Sequence, residues 1–156
     1  MPPTVGERAP GFEALLCDGE TFRSASLADA AGDGAVLVFS ASAFSAIAEN
    51  WWKRYDRAGW EEFPVPVLGV SRDSPYGLNA FIRGIQSPFE MFADVDSGAS
   101  EAFDLLVERE GMVNTSTPMR ATFVLDGDLT VRYRWVAEDW ISPAPLEPVS
   151  EAVDAL

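Results

Sequence analysis

The sequence predicts a mixed α/β fold, in which a central sheet carries helices on both faces and opens with an N-terminal β-hairpin. Three observations predict it. Residues 35–39 and 65–70 are short, continuous apolar runs of the kind found in strands buried on both faces. Between and after them the apolar spacing becomes helical. Residues 121–125 and 131–136 are two more strand-like runs, joined across Asp126-Gly127-Asp128, a hairpin signal. Early alternation of strand and helix implies a parallel β-α-β portion, to which the late hairpin adds antiparallel strands.

The elements follow in order. Residues 12–16 are apolar, turn at Asp18-Gly19 and return through Thr21-Phe22-Arg23, a hairpin. The first buried strand, 35–39, runs into small residues at 40–43. Phe44, Ile47, Trp51, Tyr55 and Ala58 then form an apolar stripe at helical spacing, closed by Gly59. A second buried strand spans 65–70, and Ser74 with Pro75 opens a second helix as N-cap and first helical residue. A short strand is expected at 89–92 and a third helix at 99–107. After the 121–136 hairpin, Pro143, Pro145 and Pro148 stiffen the connection to a last helix ending near Ala155. This order is that of a thioredoxin-like fold.

Composition bounds the function. A chain of 156 residues without repeat or linker reads as one domain over 1–156. The opening MPPTVGERAP lacks the basic and apolar regions of a secretory signal, and no apolar run reaches the roughly 18 residues of a membrane span, so a cytoplasmic protein is expected. Acidic residues number 25 against 11 basic, with no His, for a formal charge of −14. Such a surface repels nucleic acid and anionic membranes, which are excluded as partners. The acids are scattered along the chain, which points to a surface adapted to high salt, where screening relieves self-repulsion. Cys17 is the only cysteine, so no intramolecular disulfide, Cys/His zinc site or Cys-His or Ser-His-Asp arrangement is available. No metal and no cofactor are expected.

Four segments, in the right order, carry a resemblance. VGERAPGF (5–12), DGETFRSASL (18–27), VLVF followed by ASAFSAIA (36–48), and MRATFVLDGDLTVRYRWV (119–136) are similar to corresponding parts of the peroxiredoxins, the alkyl hydroperoxide reductase and thiol-specific antioxidant group. The likeness covers about residues 4–137. It implies a thioredoxin-like fold and thiol-dependent hydroperoxide reduction. The family's loop reads Pro-x-x-x-Thr-x-x-Cys, with an Arg on a distant strand. Its cysteine attacks peroxide from the first turn of a helix, where the free N–H groups and the Arg favour the thiolate. The Thr and Arg donors orient the peroxide and stabilise the leaving oxygen.

Laid onto this chain, the resemblance places Ala41 at the Pro, Ser45 at the Thr, Ala48 at the peroxidatic Cys and Arg120 at the Arg. Alanine cannot attack a peroxide, and the redox-inert Ser45 cannot form a sulfenate. Ala41 and Trp51, the latter where the family often has Glu, depart together with Ala48, which favours natural divergence over a single engineered change. The family activity is therefore expected to be lost, with Ser45 and Arg120 kept as a pocket for a small anion or a peroxide-like, oxygen-rich ligand. Ser45 also has a purely structural alternative as a helix cap, and Arg120 as an ion-pair partner of Glu49 or Asp126. Two other functions stay open. One is a weak thiol-dependent peroxidase using Cys17, although Glu13, Asp18 and Glu20 beside it disfavour a thiolate. The other is a non-catalytic module that binds a partner or forms a homodimer through aromatic residues such as Trp52, Trp60 or Trp140.

Overall fold

The computed structural model describes residues 1–109, 111, 113 and 115–156. Its main sheet has seven strands in the order β2-β1-β5-β4-β3-β8-β9. These are β1 (Glu13–Cys17), β2 (Phe22–Ser26), β3 (Gly34–Ser40), β4 (Val67–Ser71), β5 (Glu90–Ala93), β8 (Ala121–Asp126) and β9 (Val131–Val136). A second, two-stranded sheet pairs β6 (Leu106–Glu108) with β7 (Ser116–Pro118). β3, β4 and β5 run parallel, and the antiparallel hairpins β1-β2 and β8-β9 flank them, so the sheet is mixed as the order of elements predicts.

β3 shows why the centre of this sheet is apolar on every residue. Val36 and Val38 point into one cluster with Trp52, Tyr55, Leu78, Phe81 and Val149. Ala35, Leu37 and Phe39 point into the other, with Leu27, Phe92, Phe103 and Phe123. The two-residue period of a strand sends alternate side chains to opposite faces, so a strand covered on both sides has no polar face. α2 (Ala46–Arg57), α3 (Pro75–Ile85) and α5 (Leu146–Asp154) cover the first face, and α1 (Leu27–Ala31) and α4 (Gly98–Ala102) the second. Among the described residues, no helix is long and apolar enough to cross a membrane.

Local chemistry sets the helix starts. Ser74 Oγ accepts from Gly77 N at 3.0 Å, with Pro75 at the first helical position. Ser26 caps α1, a helix too short to register as periodicity, by accepting from Asp29 N at 3.1 Å. The helix expected over 99–107 is shorter than that. It stops at Ala102, Asp104 takes φ 53°, and residues from Leu106 pair as β6 with β7. Phe103 and Leu105, which supplied the apolar signal, are buried in the core from a turn instead.

The α2 stripe is also rotated from its sequence expectation. Ala48, Trp52 and Tyr55 face the core, whereas Phe44 is 65 % exposed. Trp52 and Trp60 are 3 % and 2 % exposed, so neither is a surface anchor for a partner. Tyr55 stacks on Trp60 with ring centroids 4.3 Å apart. Trp52 lies against β4 because Gly69 has no side chain there: a Cβ would sit 2.8 Å from the indole Cζ2.

Candidate functional site

The pocket lies at the carboxyl end of β3, where the chain leaves the sheet and turns into α2. Crevices beyond the carboxyl ends of parallel strands are where α/β sheets place ligands. Its volume is about 420 Å³, within the ~300–1,000 Å³ common for small-molecule sites. Ser40, Ala41, Ser45 and Ala48 line one side, and Arg120 and Thr122 line another. Fold topology brings these together: Phe39 pairs with Ala121 across the antiparallel β3-β8 ladder, which sets Arg120 beside the β3 terminus.

The loop before α2 is held from below. Asp73, just after β4, accepts from Ala43 N at 2.9 Å and from the Ser71 hydroxyl. Ser45 is the N-cap of α2; its Oγ accepts from Ala48 N at 3.2 Å and donates to Ser42 O at 3.3 Å. Ala48 is thus in the first turn, buried, with its amide already engaged by Ser45.

Arg120 is 8 % exposed, and its Nη1 is buried with no hydrogen-bond partner. Neither of the anticipated carboxylates pairs with it: Glu49 bonds Lys53 at 2.8 Å and Asp126 bonds Arg132 at 2.8 Å. Burial pulls the guanidinium pKa down, an effect opposed by the nearby Tyr55 phenol and by Asp139. Its carbon lies 5.9 Å from the Trp135 ring centroid. Thr122, two residues along the same strand face, is fully buried and its Oγ1 is also without a partner.

Residues 139–144 close the outer wall. Asp139 Oδ1 accepts from Ile141 N at 2.8 Å and Ser142 N at 2.7 Å, and Oδ2 from Ser142 Oγ at 2.7 Å. The Ser142 amide and hydroxyl, with the Ile141 amide, hold the Asp139 carboxyl down at about 2. This turn presents Ile141 O to Trp51 Nε1 at 2.9 Å, and Ala144 N donates to the Tyr55 hydroxyl at 3.1 Å. Trp140 carries Arg109 over its ring at 3.9 Å, and both line the pocket.

The family resemblance names Ser45, Ala48 and Arg120, which line the pocket together with Thr122, Arg109, Trp135 and Tyr55, four residues that it does not name. Thr122 was legible as the i+2 neighbour of Arg120 on a strand. Arg109 had no such signal, because it arrives from a separate hairpin. Cys17 is outside the pocket lining, fully buried, with Sγ 3.8 Å from Leu15 O and Pro75 O. Burial, and then Asp18, push its thiol up to about 11. No cluster of three or more His, Cys, Asp or Glu that could hold a metal occurs among the described residues.

Comparison with known proteins agrees with this architecture. A "Peroxiredoxin" of Thermoplasma volcanium is 25% identical over 143 residues, covering 85% of this chain and 65% of that protein. A "Peroxiredoxin 2" of Thermoplasma acidophilum is 33% identical over 75 residues, covering 44% and 35%. The chain therefore spans less than two thirds of the length of these relatives. Among solved structures, Mycobacterium tuberculosis AhpC superposes with a TM-score of 0.80 at 18% identity, covering 99% of this chain and 93% of that one. Reduced 2-Cys peroxiredoxin of Plasmodium vivax gives a TM-score of 0.79 at 23% identity, covering 97% and 94%. Both share the thioredoxin-like fold. The model of the AhpC/TSA family matches residues 5–134, and with most of the sequence so matched the chain belongs to that family, as a peroxiredoxin-like protein that has alanine, not cysteine, in the first turn of α2.

Proposed function

We propose that this chain keeps the peroxiredoxin scaffold without thiol peroxidase chemistry and uses the old reaction pocket to bind a small anionic or oxygen-rich ligand at Arg120. One observation carries this: a buried guanidinium whose Nη1 has no hydrogen-bond partner among the described residues lines the same pocket as Ala48, which has nothing to oxidise. Peroxide reduction needs a thiolate that becomes a sulfenate, and a methyl group supplies neither. Cys17 is no substitute in this reading, since its thiol is buried away from the pocket and held protonated at neutral pH.

Hydrogen peroxide consumption with dithiothreitol as donor tests the reading. The wild-type chain should run no faster than buffer, and the Ala48→Cys variant should gain activity. A wild-type rate that Cys17→Ala removes would establish the weak-peroxidase alternative instead.

A homodimer is a second reading, supported by exposed aromatic side chains, one before α2 and one on α3. Phe44 is 65 % and Tyr76 75 % exposed, each stacked edge-on against a neighbour, Phe81 and Phe22 respectively. Sedimentation equilibrium at high salt should give twice the monomer mass; a strict monomer removes this reading.

A further inference from the structure

Arg120 Nη1 and Thr122 Oγ1 are buried in a pocket lined largely by aromatic side chains, and neither has a hydrogen-bond partner among the described residues. Buried polar groups in native proteins have partners as a rule, and a desolvated charge without one is costly. Tyr55 and the Asp139 carboxylate act on Arg120, but no Asp or Glu among the described residues forms an ion pair with it, and both Asp139 oxygens are engaged in the 139–142 turn. Among the described residues, no Asp or Glu lines the pocket. Among the described residues, Arg120 Nη1 and Thr122 Oγ1 thus leave a place for an anion from outside the chain.

The rest of the pocket describes the other end of that ligand. Phe44, Ile47 and Trp51, which made α2 amphipathic in sequence, face this space, and Trp135 and Trp140 stand across from them. A bare ion at Arg120 leaves most of the ~420 Å³ as water against apolar walls. Indole faces and edges favour a flat ring, by stacked or edge-on contact. The head is constrained too. A carboxylate presents coplanar oxygens to the guanidinium fork. Arg120 is the buried cation of the lining, Arg109 being only partly buried and stacked over Trp140, and the formal charge of −14 repels multiply charged anions.

We propose that the pocket takes an aromatic monocarboxylate, its carboxylate at Arg120 and Thr122 and its ring among Trp51, Trp135 and Trp140. The inference rests on the anion-pocket reading above and names the ligand class that would fill it.

Titration calorimetry and tryptophan fluorescence of the full chain, at constant ionic strength, test it with sodium phenylacetate, sodium acetate and neutral phenylacetamide. Phenylacetate should bind at least ~30-fold more tightly than acetate, from burial of the ring, and should perturb the tryptophan emission. It should bind at least ~10-fold more tightly than phenylacetamide, from the charge-assisted contact. Arg120→Met should remove the preference for the acid over the amide; the amide comparison on the wild-type chain holds even if that variant does not fold. Equal binding of acetate and phenylacetate overturns the aromatic class and leaves the anion pocket standing. Equal binding of the acid and amide overturns the carboxylate head. Failure of both anions to bind sinks the proposal together with the reading beneath it.

Discussion

Asp73 Oδ2 accepts from the Ala43 amide at 2.9 Å, tying the turn after β4 to the loop that delivers α2 to the pocket. The Ser71 hydroxyl donates to the same oxygen. Asp73→Ala removes the acceptor for both donors, and an unsatisfied buried donor costs about 1–3 kcal/mol. Urea unfolding should show that loss, with Asp73→Asn, which keeps one acceptor, losing less. Equal stability of Asp73→Ala and wild type would show that the loop is held by other contacts.

Asp139 anchors the outer wall as a carboxylate. Its folded pKa, about 2, lies below the ordinary 3.8, so its contribution is present above pH 3.8 and is lost as pH falls toward 2. The 139–142 turn should loosen in that window, releasing Trp51 Nε1 from Ile141 O and shifting its fluorescence. In Asp139→Asn the same acid titration should be flatter between pH 4 and 2.

Cys17 titrates in the opposite direction. Its folded value, about 11, lies above the ordinary 9.0, so stability is fully present below pH 9 and declines as pH rises toward 11. Cys17→Ala should lose less stability across that window than wild type. In the native chain at neutral pH the thiol should resist Ellman's reagent, and one thiol should react once the chain is unfolded in denaturant.

Gly69 is the close approach between β4 and α2. Alanine there brings a Cβ within 2.8 Å of Met91 Cγ and of Trp52 Cζ2, both in the packed core. Overpacking of this kind costs about 1–3 kcal/mol, and Gly69→Ala should lower the melting temperature accordingly. An unchanged melting temperature would mean that Trp52 can move aside freely.

The formal charge of −14 gives a salt prediction. Screening shortens from a Debye length of about 10 Å at 0.1 M to about 3 Å at 1 M, so self-repulsion fades over that range. The melting temperature should rise steadily in potassium chloride from 0.1 to 2 M. A flat or falling trend would remove the high-salt reading of the surface.

The sequence by itself determined the sheet and the family. Apolar runs such as 35–39 are local, their composition follows from burial on both faces, and the two hairpins announce themselves by turn residues. It also determined that Ala48 cannot do thiol chemistry, because side-chain identity needs no geometry. The tertiary structure alone decided which way α2 faces. A helical period fixes the spacing of apolar residues but not the rotation of the stripe, and here Ala48, Trp52 and Tyr55 are buried while Phe44 is left exposed. It alone turned 103–108 from helix into turn and strand, since pairing with 116–118 outweighed local periodicity. It also decided that Arg120 pairs with neither anticipated carboxylate and that its Nη1 has no hydrogen-bond partner among the described residues. Glu49 and Asp126 are near enough in kind to serve, but each is already held by a cation on its own element or hairpin, and a partner's availability is a fact of three-dimensional arrangement that no spacing along the chain encodes.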